Sequence, residues 1–164
     1  MIDFISIPEE RMELLKTDKT WKIKFRKLSD VKTSLDTDVK LESSDPISLK
    51  RAKEVFIAFG RGFEFDNALN MLDEDFLLEI IEIKYFTKSE NRMKILKGRV
   101  IGTGGKIKKL IERISATKIA VYGKTICIIG KWNDVKLAAK AIEMLLLGSK
   151  HSSVMRYIKE NKNL

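Results

Sequence analysis

The sequence predicts an α+β chain of two tandem units, each with the order β-α-α-β-β-α and its helices on one face of a three-stranded sheet. The spacing of apolar residues predicts this order in both halves of the 164-residue chain. The charge differs between the halves. Residues 1–80 hold 13 Lys or Arg against 17 Asp or Glu, whereas residues 81–164 hold 19 against 6. We therefore expect a basic second unit that attracts a polyanion, and a first unit with another role.

The first half is predicted to begin with a short strand at 4–8 that ends in proline. A helix is predicted at 9–15, and Pro8 suits the first helical position because its missing N–H leaves no donor unsatisfied there. Residues 16–19 then interrupt the helix without any glycine. This break has its counterpart in the second half, where the corresponding turn is rich in glycine.

The next segment is open to two interpretations. Trp21, Phe25 and Leu28 have the i, i+4, i+7 spacing of a helix, yet the first five residues of the segment also alternate like a strand. A hairpin with strands at 31–35 and 39–42 is predicted after it.

A long helix is predicted to close the first unit. Asp45 caps its start, Pro46 is its first residue, and Gly60 ends it. A short helix follows at 66–72. The acidic cluster at 73–75 is either a solvated turn or a docking point for a basic partner.

The second half is predicted to repeat the same order around a glycine-rich turn at 99–106. Its other elements are predicted as strands at 77–83, 117–122 and 125–129 and as helices at 90–97, 106–115 and 133–147. A final helix at 151–160 either packs back onto the domain or folds on a partner.

The glycine-rich turn predicts an anion site. Gly102, Gly104 and Gly105 lack the Cβ atoms that keep another backbone at a distance, and glycine permits positive φ. The following helix points unpaired N–H groups at whatever approaches, with Lys106 beside them. Residues 92–109 hold seven Lys or Arg and no acid, so we expect the ligand to be a polyanion.

The spacing of the glycines separates this turn from other phosphate-binding loops. Walker and dinucleotide loops need different glycine spacings directly after a strand, and neither is present. Gly102-x-x-Gly105 between two helices resembles the turn of a type I (eukaryotic-type) KH domain, which clamps about four single-stranded nucleotides. We therefore expect 76–164 to be a KH domain with a tail helix. We expect 1–75 to be a degenerate KH-like domain, because 16–19 place side chains and a carboxylate in the turn.

The predicted groove lies between the glycine turn with its preceding helix and the strand from residue 118 with its following loop. Backbone N–H groups and lysines hold phosphates, while Val100, Ile107 or Ile119 form an apolar floor for the bases. Arg99 is expected to position the strand. The predicted RNA-binding residues are Arg99, Val100, Ile101, Gly102, Thr103, Gly104, Gly105, Lys106, Ile107, Lys108, Lys109, Lys118, Ile119 and Lys124.

The composition argues against several classes of function. Cys127 and His151 are the only residues of their types, so an internal disulfide, a common zinc site and a hydrolytic triad with its usual base are not expected. The acids of the basic half suit solvated helix faces. We expect no catalysis, no cofactor and no metal. No apolar run reaches about 18 residues and the N-terminus lacks a signal-peptide pattern, so we expect a cytoplasmic protein away from membranes.

The chain resembles a known family across nearly its whole length. The run at 99–106, continued by 111–119, resembles the second KH domain of the Dim-two family, also called partner of Nob-one. Members of this family are small-subunit ribosome assembly factors. Further resemblance lies at 123–130, 138–142 and 146–148, and in the first half at Ile7-Pro8, Asp45-Pro46 and 59–63, which resemble the archaeal members.

The resemblance implies a target and partners that the residues alone do not indicate. It implies binding to the 3′ end region of small-subunit ribosomal RNA, near the site where the Nob-one endonuclease matures it. It also implies contact with the alpha subunit of translation initiation factor two. The residues themselves leave open a generic single-strand binder or a protein-binding scaffold. In a protein-binding scaffold, the glycines of the turn are expected to be lost in both halves, whereas the turn of the second half keeps them.

Overall fold

The computed structural model describes residues 1–162, and its contacts divide the chain into two compact units. The first unit is Met1–Phe76, and the second begins at Leu77, one residue into a strand that belongs to the sheet of the second unit. Each contains one three-stranded antiparallel sheet with helices, which confirms the predicted α+β class.

The first unit has the predicted order of elements. They are β1 (Ile2–Ile5), α1 (Glu9–Thr17), α2 (Thr20–Leu28), β2 (Lys32–Leu35), β3 (Val39–Glu42), α3 (Pro46–Gly60), α4 (Phe65–Ala68) and a 3-10 turn at Leu69–Leu72. The sheet order is β1-β3-β2, and both pairs are antiparallel. The hairpin is confirmed: β2 and β3 pair from Lys32 opposite Glu42 to Leu35 opposite Val39.

The start of the chain differs from the prediction in two respects. The first strand is Ile2–Ile5, because these residues pair with β3, and it ends before residue 8. Pro8 precedes the helix as its N-cap, since its ψ of 141° is extended rather than helical. Its carbonyl accepts hydrogen bonds from the N–H groups of Arg11 and Met12. Proline therefore serves here as an acceptor at the helix start.

Tertiary contacts make the ambiguous segment a helix. The Trp21 indole N–H donates to the Leu15 carbonyl at 2.9 Å, which satisfies it inside the core. Trp21 packs edge-on against Phe56 with ring centroids 5.6 Å apart, and Phe25 lies 5.6 Å from the same ring. Ile23 is exposed, so the alternating pattern has no buried face to support a strand.

The break between α1 and α2 is closed by a carboxylate. Asp18 accepts a hydrogen bond from the Thr20 N–H at 3.0 Å. Hydrogen bonds from Thr20 hold the pKa of Asp18 below its ordinary value, so this turn carries a negative charge at neutral pH. A phosphate at this break would meet that charge.

The second unit also has the predicted order of elements. They are β4 (Phe76–Glu82), a 3-10 turn (Ile83–Tyr85), α5 (Glu90–Ile101), a 3-10 turn (Thr103–Gly105), α6 (Lys106–Ser115), β5 (Lys118–Tyr122), β6 (Thr125–Lys131), α7 (Trp132–Leu146) and α8 (His151–Asn161). The sheet order is β4-β6-β5, so β5 lies at an edge.

The core of the second unit is formed by α5, α6, α7 and the sheet. Leu96, Ile111, Ile128 and Ile142 are among its fully buried side chains. Each such side chain stabilises the fold by about 1.5–3 kcal/mol through burial alone. This packing fixes the rotation of α5 and α6, and with it the side chains that remain at the surface.

The tail helix packs back onto the domain. Val154 and Ile158 of α8 are fully buried in the same core. The Lys162 ammonium donates to Asp134 of α7 at 2.8 Å and to the Ser115 carbonyl at the end of α6 at 3.1 Å. Of the two alternatives for this segment, packing back onto the domain is therefore correct, rather than folding only on a partner.

No helix within residues 1–162 has both the length and the apolar character needed to cross a membrane.

Candidate nucleic-acid interface

The glycine turn connects α5 to α6 in a backbone conformation that favours glycine at three positions. Gly102, Gly104 and Gly105 have φ values of 75°, 62° and 78°. Gly102 also has a ψ of 173°, a combination that is essentially restricted to glycine. The Gly105 N–H donates to the Gly102 carbonyl at 3.1 Å, which closes the turn on itself.

The three glycines have different surroundings. A Cβ on Gly102 would lie 2.9 Å from both the Cβ and the backbone nitrogen of Ile107, so this glycine is needed for the packing of α6. Among the described residues, a Cβ on Gly104 would meet nothing within 4 Å, and one on Gly105 would meet only the Lys109 Cε, at 3.8 Å. The outer part of the turn therefore opens to solvent, where another backbone can approach closely.

The N-terminus of α6 faces this open turn. Gly105 is its N-cap residue, and within residues 1–162 no side chain caps the helix. The first turn of a helix leaves N–H groups without intrahelical partners, and the helix dipole adds positive potential there. Thr103 and Lys106 are exposed beside it. The turn therefore combines backbone donors, a hydroxyl and an ammonium group in one place.

The predicted lysines differ in how freely they can meet an anion. Lys106, Lys109 and Lys118 are exposed, and none of them forms an ion pair within residues 1–162. Lys108 lies 3.4 Å from a Glu112 carboxylate oxygen on the same helix. Lys124 pairs with a glutamate of α5 at 3.2 Å, but both side chains are well exposed and such a pair is weak.

The predicted apolar floor requires correction. Val100 is fully buried and Ile119 is 3% exposed, and both belong to the core, so neither side chain offers an apolar floor for the bases. Val100 points inward because that side of α5 packs in the core with Leu96. Ile101 and Ile107 are partly buried and lie on either side of the turn. Of the predicted apolar residues, these two have side chains that are partly exposed and can contact a ligand.

Arg99 has backbone partners within its own unit, which its position beside the glycine turn did not predict. Its guanidinium donates through Nε to the Leu145 carbonyl at 2.9 Å, and through Nη2 to the Ser149 carbonyl. Leu145 belongs to the last turn of α7, and Ser149 lies in the loop between α7 and α8. Arg99 therefore ties α5 to the end of α7 and to the loop that follows it, and its contact with an RNA strand stays a prediction.

Glu112 lies beside the predicted RNA-binding lysines and is not among the predicted contact residues. Its Oε2 atom accepts a hydrogen bond from the Ile119 N–H at 2.8 Å, and its Oε1 atom faces Lys108. The carboxylate thus fastens α6 to the edge strand β5. The spacing of four residues between Lys108 and Glu112 predicts the ion pair on the helix surface. It does not predict the hydrogen bond between Glu112 and the Ile119 N–H of β5.

The part of the chain that the structure describes contains no group of three or more His, Cys, Asp or Glu side chains placed to hold a metal ion. Cys127 is buried in β6.

Comparison with known proteins identifies the second unit. The profile of the second KH domain of PNO1 proteins, a eukaryotic type KH domain (KH-domain type I), matches residues 77–163. The KH domain-containing protein MJ0443 of Methanocaldococcus jannaschii is 32% identical over 98% of this chain and 74% of its own length.

Eukaryotic relatives match over a shorter range. The RNA-binding protein pno1 of Drosophila melanogaster is 35% identical over 69% of this chain. The pre-rRNA-processing protein pno1 of Schizosaccharomyces pombe is 33% identical over 65% of this chain. The aligned region spans 48% and 45% of these two relatives, about half of their length.

A solved structure matches both in sequence and in fold. In the crystal structure of an a/eIF2alpha-aDim2p-rRNA complex from Pyrococcus horikoshii, the matched chain is 32% identical with a TM-score of 0.88. The match covers 99% of this chain and 94% of that one. Together with the profile match and the Methanocaldococcus relative, it shows that this chain belongs to the Dim2/PNO1 family of KH-domain proteins.

Proposed function

We propose that this protein binds single-stranded RNA through the glycine turn of its second unit, and that its target is the 3′ end region of small-subunit ribosomal RNA during ribosome assembly. The observation that carries the proposal is the open face of the turn at Gly104, beside the uncapped N-terminus of α6. Relatives described as an RNA-binding protein and as a pre-rRNA-processing protein support it, as does the rRNA complex of the Pyrococcus relative.

Affinity in this arrangement is mainly electrostatic. Phosphates approach the turn because no Cβ blocks them, and they accept hydrogen bonds from backbone N–H groups at the start of α6. Lys106, Lys109 and Lys118 add charge without a competing ion pair in the described residues. Ile107 offers a partly exposed apolar surface to a base. The phosphate contacts position the strand, and contacts to the bases supply the preference for a sequence.

The first unit is proposed to be a second, degenerate KH domain that does not clamp nucleotides. Its sheet order, with the third strand in the middle, is the same as that of the second unit, which supports this assignment. Its α1–α2 break contains Asp18 with a lowered pKa where the second unit has glycines, and a carboxylate there repels phosphate.

The partners proposed for this chain are proteins as well as RNA. The complex of the Pyrococcus relative contains a/eIF2alpha, which supports the alpha subunit of translation initiation factor two as a partner. The Nob-one endonuclease is proposed from the family resemblance alone. We propose that the chain itself is not a catalyst and acts in the cytoplasm, since it places RNA for an enzyme.

Binding to two labelled oligonucleotides at two salt concentrations tests this function. One oligonucleotide matches the 3′ end of small-subunit ribosomal RNA, and the other is a scrambled sequence of equal composition. We expect tighter binding to the ribosomal sequence. For both oligonucleotides, a plot of the logarithm of the affinity against the logarithm of the salt concentration is expected to fall with a slope of about 0.7 for each phosphate contacted. Equal affinities would reject the ribosomal target, and absence of binding to either would reject the RNA-binding function.

A further inference from the structure

Trp132, the first residue of α7, exposes a large aromatic ring to solvent. Its side chain is 60% exposed, whereas the other tryptophan, Trp21, is 4% exposed and packed in the first unit. The Lys136 ammonium lies 5.4 Å from the centre of the Trp132 ring. A ring that is this exposed adds little to the core, and its flat surface beside a cation suits stacking with a nucleobase.

Lysines continue along the same face of α7. Lys136 and Lys140 follow Trp132 at intervals of four residues, which places all three on one side of the helix. Lys131 comes directly before, and these three lysines are exposed. We call Lys131, Trp132, Lys136 and Lys140 the α7 strip.

Within the part of the chain that the structure describes, no acidic side chain pairs with the lysines of the α7 strip. Asp134, the acid of the first turn of α7, is bound by Lys162 at 2.8 Å. Glu143, the next acid on the exposed face, comes three residues after Lys140 and ends the basic part. The strip therefore attracts a polyanion.

The α7 strip begins at the opposite end of α6 from the glycine turn. Lys162 bridges Asp134 of α7 and the Ser115 carbonyl at the C-terminal end of α6. The turn lies at the N-terminal end of α6, and the 10 residues of that helix span about 15 Å. Lys118 starts β5 close to this end, opposite Ile129 of β6. Trp132 is thus separated from the turn by the length of one helix.

We propose that the α7 strip binds nucleotides of the same single-stranded RNA that flank those held at the glycine turn. The Trp132 ring stacks on a base, and the three lysines contact phosphates. This inference rests on the function proposed for the turn and extends the site along the strand. RNA is favoured over an acidic protein partner because an exposed ring with lysines on a basic unit suits stacked bases linked by phosphates.

Oligonucleotide length tests the proposal in the full-length chain. A short oligonucleotide of about four nucleotides fills only the groove, whereas one of about 15 can also reach the α7 strip. We expect Trp132→Ala to weaken binding of the longer RNA roughly tenfold and to leave the shorter one unchanged. The longer RNA is also expected to quench the fluorescence of Trp132 in the wild-type protein, whereas buried Trp21 gives a constant signal.

Tyr85→Ala is the matched control. Tyr85 is 76% exposed with the Lys84 ammonium 5.5 Å from its ring, but it lies outside the α7 strip. We expect this variant to bind both RNAs as the wild type does, and Trp132→Phe to keep most of the affinity for the longer RNA. If Trp132→Ala is poorly folded, the quenching of Trp132 fluorescence in the wild-type protein still tests the proposal.

The outcomes separate this inference from the proposed function. Undiminished binding of the longer RNA by Trp132→Ala, or unquenched fluorescence at saturation, would overturn the role of the α7 strip alone. An equal loss in Tyr85→Ala would also overturn it, since the effect would then not be specific to the strip. If wild type binds neither RNA, the function proposed for the turn fails first, and this inference fails with it.

Discussion

Replacing Thr103 and Gly104 together by aspartate is expected to lower the affinity for single-stranded RNA about 100-fold. Both positions lie on the open part of the turn, where two carboxylates would face the phosphates. Each repulsion is worth about 1–2 kcal/mol at a partly solvated site, and every 1.4 kcal/mol is about tenfold. Fluorescence anisotropy of a labelled oligonucleotide at low salt measures the loss.

The matched control places asparagine at both positions. Asparagine has the size of aspartate without its charge, and both residues tolerate the left-handed conformation of Gly104, whose φ is 62°. A Cβ at this position meets nothing within 4 Å, so both double variants are expected to fold. Weaker binding by the aspartate variant than by the asparagine variant would assign the difference in affinity to charge, whereas any loss that both variants share would reflect the added side chains. Equal, unchanged binding by both would show that RNA lies elsewhere.

Gly102→Ala is expected to lower the free energy of unfolding by about 3 kcal/mol. The φ of 75° and ψ of 173° at Gly102 strain any residue with a Cβ, and the new methyl group would collide with Ile107. Relief of this collision requires α6 to move, which also disturbs the RNA site. Urea unfolding measures the change in the free energy of unfolding, provided that the m-value is the same for the variant and the wild type.

Gly98→Ala is the control for that variant. Gly98 lies inside α5, and a Cβ there meets nothing within 4 Å. Alanine is the better helix former, so this change is expected to raise stability by about 0.5–1 kcal/mol. The two glycine-to-alanine changes should therefore have opposite signs. A Gly102→Ala protein as stable as the Gly98→Ala protein would contradict the role given to Gly102.

Local patterns predicted the elements of the second unit well. Helix α6 has the bounds that its apolar spacing predicted, 106–115, because a glycine turn starts it and a left-handed Ala116 follows it. The positive φ values at 102, 104 and 105 were also predictable, since glycine is the residue that adopts them readily. These features depend on residues close together in the chain.

Side-chain direction was predicted less well, because it depends on packing between distant segments. Val100 was placed at the groove, but contacts of α5 within the core turn it inward. The backbone acceptors of Arg99 lie 46 and 50 residues away in sequence, so local spacing does not predict them. The helical conformation at Trp21 likewise depends on a carbonyl and aromatic rings outside its own segment. No local pattern contains this information.

The most direct test of the RNA site is a nuclear magnetic resonance titration of the isotopically labelled chain with the ribosomal oligonucleotide. The amide signals of Thr103, Gly104, Gly105, Lys106 and Ile107 report the turn and the start of α6. We expect these amides to shift most strongly, and the amides of Asp18 and Lys19 at the break in the first unit to stay in place. Large shifts at that break, with unchanged signals at 103–107, would contradict the assignment of RNA binding to the second unit.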